Sequence, residues 1–326
     1  MTNLILAADI GGTKTLVGAF ERGGSRPRRR VARSYSTLDY RALPDILKQF
    51  LSDTTIDREA IDFACFGVAG PVIDEAADLT NVPWRVDARN VAAVFEFPQV
   101  RLLNDLEAMA YSIPALESSE VHVLQTGVRN ESGNIAVIAA GTGLGEGMLH
   151  RIGRRWIAAP TEAGHADFAA RTEREVVLMR HLTQRYGRAD VEHVISGRGL
   201  LNIHEVSHRN APCSAVTDLD DPAAAAAITT AGLEKRCAGC VETLDLFVEA
   251  YGAEAGNLGL RTVATGGVFI GGGIAPKILP ALTAGGFVQA FSAKPPLDAM
   301  LLAMPVSVIL NGEAGLLGAA SFANSI

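Results

Sequence analysis

The chain has 326 residues, 48% of them hydrophobic, 33 glycines and a formal net charge of −7. That length and apolar content predict two domains or one large one, and the acidic balance argues against a general nucleic-acid binder, which would present a basic face. Met1-Thr2-Asn3 leads into an apolar run without the marks of a secretory leader, no apolar stretch reaches membrane-spanning length, and the four cysteines (Cys65, Cys213, Cys237, Cys240) are too scattered for a disulfide scaffold, so a cytoplasmic protein working off the membrane is expected.

In chain order, Leu4 to Ala8 reads as a buried strand, Asp9 to Lys14 as a tight turn and Thr15 to Phe20 as a second strand. Gly23 to Arg30 reads as a polar, basic loop or hairpin. Leu43, Ile46, Leu47, Phe50 and Leu51 recur at helical spacing, and Ile61 to Val68 is strand-like, ending at Gly70-Pro71. This order suggests a mixed sheet whose first strands form hairpins. Asn81 to Trp84 is a loop, and Asp87 caps a helix to Val94. Pro98 to Leu103 is a strand and Leu106 to Ile113 a helix. Pro114 marks a crossover. Ile135 to Ala140 feeds the glycine turn Gly141-Thr142-Gly143-Leu144-Gly145, with short strands at Gly147 to His150 and Arg155 to Ala158. Thr172 caps a helix to Tyr186, Asp221 and Pro222 start one ending at Leu233, and Cys237 to about Ala264 is mostly helical. Val268 to Ile270 is a strand ending in Gly271-Gly272-Gly273. A short helix from Ile278 to Leu282, a strand from Val306 to Leu310 and a helix from Gly315 to Phe322 complete the chain.

Two arguments select site residues. Phosphates need converging donors, and backbone N–H groups in glycine turns supply them without side-chain bulk. Gly11 and Gly12 permit that approach, while Thr13 and Lys14 add a hydroxyl and a cation. Asp9 is placed to hold Mg²⁺ through water. Gly141, Thr142, Gly143 and then Gly271 and Gly272 follow strands in the same way. No Walker A run occurs, and the dinucleotide fingerprint fails because position 146 is Glu146. Ordinary tight turns compete for any single case; three, each after an apolar strand, favour phosphates. The second argument concerns Leu102-Leu103-Asn104-Asp105, which places an amide and a carboxylate where a strand ends and a helix begins, the ligand-binding rim of layered α/β folds. Asp105 reads as a ligand-facing carboxylate at that rim, with a helix cap as the competing reading.

Asp9-Ile-Gly-Gly-Thr13, Leu103-Asn-Asp-Leu-Glu-Ala108, Gly141-Thr-Gly-Leu-Gly145, Glu162-Ala-Gly-His165, Ile195-Ser-Gly-Arg-Gly-Leu-Leu-Asn202, Gly267-Val-Phe-Ile-Gly-Gly-Gly-Ile274 and Gly315-Leu-Leu-Gly318 occur in this order along nearly the whole chain. In them the chain resembles the bacterial ATP-dependent glucokinases of the actin, hexokinase and Hsp70 superfamily. The resemblance implies an α/β fold of two lobes, actin/hexokinase-like (ribonuclease H-like) domains around a central cleft. Residues 1–112, completed by a helix at about 312–326, would form the small domain, and 113–311 the large one. It further implies a homodimer that binds glucose in the cleft and ATP mainly on the large domain, with transfer of the γ-phosphoryl to the 6-hydroxyl. Asp105 matches the family's catalytic aspartate. Asn104, Glu162, His165 and Glu192 match its sugar ligands. Thr142 and Gly143 match its phosphate-side turn, and Gly272 lies near the adenosine.

Thr161 and Ala163 replace glycines that the family usually has beside the sugar-binding glutamate. The related repressor and kinase family carries a zinc-binding cysteine cluster near the equivalent histidine. Nothing like it follows His165, so neither zinc nor a DNA-binding role is expected. Cys237 and Cys240 have Cys-x-x-Cys spacing, but no second pair lies at zinc-site spacing and Cys213 stands single, so packed helical thiols are expected. His122, His181 and His208 receive no functional reading. Arg26, Arg28, Arg29 and Arg30 read as a solvated loop. Three alternatives stay open: a kinase for another hexose such as mannose or an N-acetylhexosamine, a donor such as polyphosphate, and a sugar sensor without turnover.

Overall fold

The computed structural model describes residues 3–79, 82–153, 155–209 and 212–326, so Asn81 of the expected loop lies outside the described residues. The chain divides into two compact units. One comprises Met1–Glu120, Arg151–Pro160 and Asn311–Ile326, the other Val121–His150 and Thr161–Leu310.

The first unit opens with β1 (Leu4–Ile10), β2 (Lys14–Glu21), β3 (Arg28–Ser36), α1 (Leu43–Thr54) and β4 (Ile61–Val68). A small hairpin of β5 (Ala76–Asp78) and β6 (Arg85–Asp87) follows, then α2 (Ala88–Phe95), β7 (Val100–Asn104) and α3 (Asp105–Ser112). The sheet order is β3-β2-β1-β4-β7. β1 pairs antiparallel with β2 and parallel with β4, and β4 pairs parallel with β7. The continuous apolar runs of β1 and β4 suit strands covered on both faces, and Ile5, Leu6, Phe63 and Phe66 are buried. On α1 the helical spacing turns Leu43, Ile46, Leu47 and Phe50 inward. Asp87 caps α2 by accepting from the Arg89 N–H at 2.8 Å.

Arg28 to Arg30 depart from the loop expectation and form the start of β3. This is an edge strand, where exposed charge blocks pairing with another chain, and its polar sequence mimics a loop. Each arginine of the run meets a glutamate: Arg26 grips Glu120 with two bonds of 2.6 and 3.0 Å, Arg28 and Arg30 face Glu21, and Arg29 meets Glu313.

The chain continues with β8 (Val121–Gln125), β9 (Ile135–Ala140), β10 (Leu144–Ile152), β11 (Arg155–Thr161), α4 (Glu173–Tyr186), α5 (Gly197–Ser207), α6 (Ala224–Leu233) and α7 (Ala238–Thr262). Then come β12 (Gly267–Gly271), α8 (Leu279–Thr283), α9 (Gly286–Ser292), α10 (Asp298–Ala303) and β13 (Val306–Ile309). In the second unit the strands run β10-β9-β12-β13-β8, with β9, β12 and β13 parallel. Its sheet thus repeats the plan of the first: an antiparallel hairpin joined to parallel strands. The long α7 lies against this sheet. The buried Tyr251 hydroxyl accepts from the Ala140 N–H at 3.1 Å and faces the Ile138 carbonyl at 3.3 Å.

α4 starts with the capping box that its sequence announces, Thr172 with Glu175. α6 starts later than expected, at Ala224. Asp221 instead holds a turn, accepting at its side chain from Ala223 and at its carbonyl from Ala224.

The chain returns to the first unit with α11 (Ala314–Asn324), which packs on α3, β1 and β4. A Cβ at Gly318 would stand 1.6 Å from the Ala108 carbonyl oxygen, so the two backbones meet with nothing between them. Gly318→Ala must push α11 off α3. Over-packing of this kind is expected to cost about 1–3 kcal/mol, seen as a lower urea midpoint with an unchanged slope.

Candidate active site

In the first unit the register aligns three strand ends, Ile10 opposite Val68 and Val68 opposite Asn104. The glycine turn leaves this rim from β1. Gly11 N–H donates to the Lys14 carbonyl at 3.0 Å, and a Cβ on Gly11 would sit 3.0 Å from that oxygen. Thr37 clamps the turn from the far side, donating through its hydroxyl to the Gly11 carbonyl at 2.9 Å and through its N–H to the Thr13 carbonyl at 3.0 Å. Gly12 is half-buried, and Thr13 and Lys14 are exposed.

Asp9, one residue before the strand end, packs against the first turn of α11. A Cβ at Gly315 would lie 2.6 Å from its Oδ2, so a side chain there would displace the carboxylate. Burial, and then the charge of Asp105, push the Asp9 carboxyl up to about 6, with Lys14 partly opposing. Two carboxylates with mutual repulsion are a fitting place for a divalent cation.

The cap expected as the competing role of Asp105 belongs to its neighbour. Asn104 is the N-cap of α3: its Oδ1 accepts from the Leu106 N–H at 2.9 Å, its Nδ2 donates to the Gly70 carbonyl at 3.0 Å, and Glu107 accepts from its own N–H at 3.4 Å. The Glu107 N–H also donates to the Asn104 side chain, completing a capping box, and one amide hydrogen remains for a ligand. Asp105 is the first residue of α3 and accepts from Leu106 N–H at 2.9 Å, which holds its carboxylate at a helix N-terminus.

In the second unit three glycine segments meet at the end of β9. Gly141 N–H donates to the Gly143 carbonyl at 2.8 Å, closing the turn around Thr142. The Gly141 carbonyl accepts from Gly197 N–H at 2.8 Å and the Ala140 carbonyl from Ile274 N–H at 3.2 Å. Gly271, the last residue of β12, pairs with Ala139. Gly272 has φ +83°, and a Cβ there would stand 2.3 Å from the Ala140 oxygen, so this position is closed to other residues. The N-terminus of α5, capped by Ser196 Oγ accepting from Gly199 N–H at 3.0 Å, therefore lies beside the phosphate-type turn. Sequence reasoning finds these elements separately; their convergence, with Ser196 and Gly197 as members, it misses.

Glu192 links this turn to the expected sugar side. Its Oε2 accepts from Leu144 N–H at 2.8 Å, and a Cβ on Gly143 would strike that oxygen at 2.5 Å. Its backbone N–H donates to Gly164 at 2.8 Å, while Gly164 passes so close to Leu144 that a Cβ would lie 2.2 Å from its carbonyl oxygen. Glu162 and His165 flank Gly164 with exposed side chains. Asp190, which no spacing argument singles out, faces His165 Nδ1 at 3.6 Å and His193 Nδ1 at 3.0 Å. The threonine that replaces a glycine is absorbed: Thr161 Oγ1 donates to the Glu146 carbonyl at 3.1 Å and accepts from Ala163 N–H at 3.2 Å.

The sequence profile of the family described as Glucokinase matches residues 6–326. The chain belongs to this family. A glucokinase of Nostoc punctiforme is 39% identical over 97% of this chain and 98% of its own, and one of Synechocystis sp. 36% over 97% and 96%. Among solved structures, a glucokinase from an Antarctic psychrotroph covers 99% of both chains at 29% identity with a TM-score of 0.88. A ROK family glucokinase from Streptomyces griseus, in complex with glucose and AMPPNP, covers 98% of both at 20% identity and TM-score 0.63, a likeness of fold. The fold is the actin-like α/β class expected from the motifs.

The raised carboxyl of Asp9 sets a pH dependence. From its ordinary value of 3.8 up to about 6 the unfolded chain gives up this proton while the folded chain keeps it. The group therefore lowers stability progressively across that window, with the full loss above it. Asp9→Asn is expected to melt above the wild type at pH 7–8, and the advantage should shrink as pH falls through the window, as thermal melts at stepped pH will show.

Proposed function

We propose that the chain transfers the γ-phosphoryl group of ATP to the 6-hydroxyl of glucose, giving glucose 6-phosphate and ADP. The observation that carries this reading is the division of labour at the end of β7, where Asn104 does the capping and Asp105 presents a carboxylate at the rim.

A carboxylate is too weak a base to form an alkoxide beforehand. Asp105 aligns the hydroxyl and takes its proton as the oxygen bonds to the γ-phosphorus. The bond from phosphorus to the bridging oxygen breaks, and its electron pair leaves with ADP. Glu162, His165 and Glu192 hold the sugar's other hydroxyls, and an epimer is rejected because its displaced hydroxyl loses one of these partners. Asn104 adds its remaining donor. The turns at Gly11 to Lys14 and Gly141 to Gly143, with the α5 N-terminus, offer N–H groups to phosphates, and Gly271 and Gly272 border the adenosine. Asp9 would hold Mg²⁺ through water, and the bound ion would neutralise charge on the phosphates. The cytoplasm as location and a homodimeric state belong to the same proposal and rest on the family resemblance. Among the described residues no helix is long and apolar enough to cross a membrane. Another hexose is the second reading, favoured by Thr161 and Ala163 standing beside Glu162.

Asp105→Asn is expected to lower kcat by about 10²–10⁴ while glucose binding persists. Initial rates of ADP formation with ATP and Mg²⁺ across glucose, mannose, fructose, galactose and N-acetylglucosamine, beside calorimetric glucose binding, test this. Near-wild-type turnover in the variant would remove Asp105 from the chemistry, and preference for another sugar would change the substrate but keep the base. Gly143→Ala forces a methyl group against Glu192. Because Glu192 bonds the turn through its carboxylate and the Gly164 segment through its backbone N–H, KM is expected to rise for glucose and ATP together; a rise for only one would separate the two.

A further inference from the structure

The second unit holds a cluster of soft donors that the kinase reading does not use. His204 lies in α5 and His208 just after it, Cys213 in the connection to α6, and Cys237 and Cys240 at the start of α7. Cys213, single by its spacing, is not single in the fold: its Sγ lies 3.6 Å from that of Cys240, 27 positions away. His208 Nε2 lies 3.3 Å from Cys237 Sγ and 4.0 Å from Cys240 Sγ. The donor atoms of His204, His208, Cys213 and Cys240 all fall within 4.8 Å of one another, the one such group among the described residues.

The Cys213–Cys240 and His208–Cys237 separations match the ligand–ligand edges of a tetrahedral zinc site, about 3.3–3.8 Å given its bond lengths, and the His208–Cys240 separation of 4.0 Å is slightly longer. The imidazole is already oriented as a ligand. His208 Nδ1 lies 3.0 Å from the His204 carbonyl, which can only accept, so Nδ1 carries the hydrogen and the Nε2 lone pair faces the thiols. Gly239, inside the Cys-x-x-Cys run, makes room for it, since a Cβ there would stand 2.4 Å from Nε2. Cys237 is the N-cap of α7 and Cys240 lies in its first turn. His204 packs beside this set: it is 5% exposed and stacked on His208 with ring centroids 3.8 Å apart. The apolar support here is small, with only Ile228, Ala231 and Cys240 fully buried in the local cluster.

We propose that His208, Cys213, Cys237 and Cys240 bind one structural zinc ion, with His204 as the supporting neighbour through its carbonyl and ring. Binding displaces the three thiol protons and ties the α5–α6 connection to the ends of α5 and α7. It also anchors the far end of the helix whose N-terminus borders the Gly141 turn. The inference does not depend on the identity of the sugar or the phosphoryl donor.

The test is metal content of the full chain, purified under reducing conditions without a metal-affinity step, by elemental analysis and native mass spectrometry. About one zinc per chain is expected. A mercurial reagent should release it as three thiols react, and stripping should lower the melting temperature. Cobalt exchange should give the visible bands of a tetrahedral thiolate site. Cys213→Ser and His208→Ala should lower zinc affinity at least about tenfold, while Cys65→Ser, in the other unit, keeps full stoichiometry. Because ligand variants can misfold, the mercurial titration on the unaltered chain stands as an independent measure. A reduced chain that neither contains zinc nor takes it up from solution, a Cys213–Cys240 disulfide in its place, or zinc retained in both ligand variants would overturn the proposal.

Discussion

The carbonyl groups of Ala140 and Gly141, at the end of β9, are where the second unit is tied together. One accepts from Ile274 beyond β12 and the other from Gly197 at the start of α5. Both contacts require backbone to touch backbone. Gly272 supplies the left-handed turn and the missing Cβ that make the first approach possible. The result is a rim with N–H groups from a turn and a helix start brought together, an arrangement that suits an anion. Glu192 then reaches this rim from another loop, bonding Leu144 N–H through its carboxylate and the Gly164 carbonyl through its backbone N–H, so it ties the turn to the Gly164 segment.

The first unit repeats the principle with different pieces. Thr37 holds the Gly11 turn, and Gly315 and Gly318 let α11 lie against Asp9 and α3. Its site is under electrostatic tension, since Asp9 is buried and shares its field with Asp105. Such tension lowers folding stability and is common where a carboxylate is retained for binding a cation or moving a proton. Asn104 takes the helix cap, and Asp105 accepts from the same Leu106 N–H.

Elements governed by local physics are legible in the sequence. β1, β4 and β9 are apolar runs too long and too uniform to be anything but central strands, and α4 announces itself through Thr172 and Glu175. Edges and short pieces are not. The arginines of β3 look like loop because an edge strand needs charge, and α9 and α10 are too short to show a period. Pro222 looks like a first helical residue, but the turn at Asp221 completes before α6 begins.

The strand-and-turn grammar is written locally in the chain: which runs are buried, where glycines must bend the backbone, and that Asp105 follows a strand and opens a helix. These depend on neighbours within a few residues, and hydrophobic period and capping chemistry report them directly. Only the tertiary structure decided which residues share a place. Thr37 over Gly11, Gly197 against Gly141, Asp190 beside His165 and Cys213 beside Cys240 are contacts between segments far apart in sequence, formed because the sheet and helices bury their apolar faces in one arrangement. A residue's type fixes what it can bond, and the packing of the rest of the chain chooses its partner.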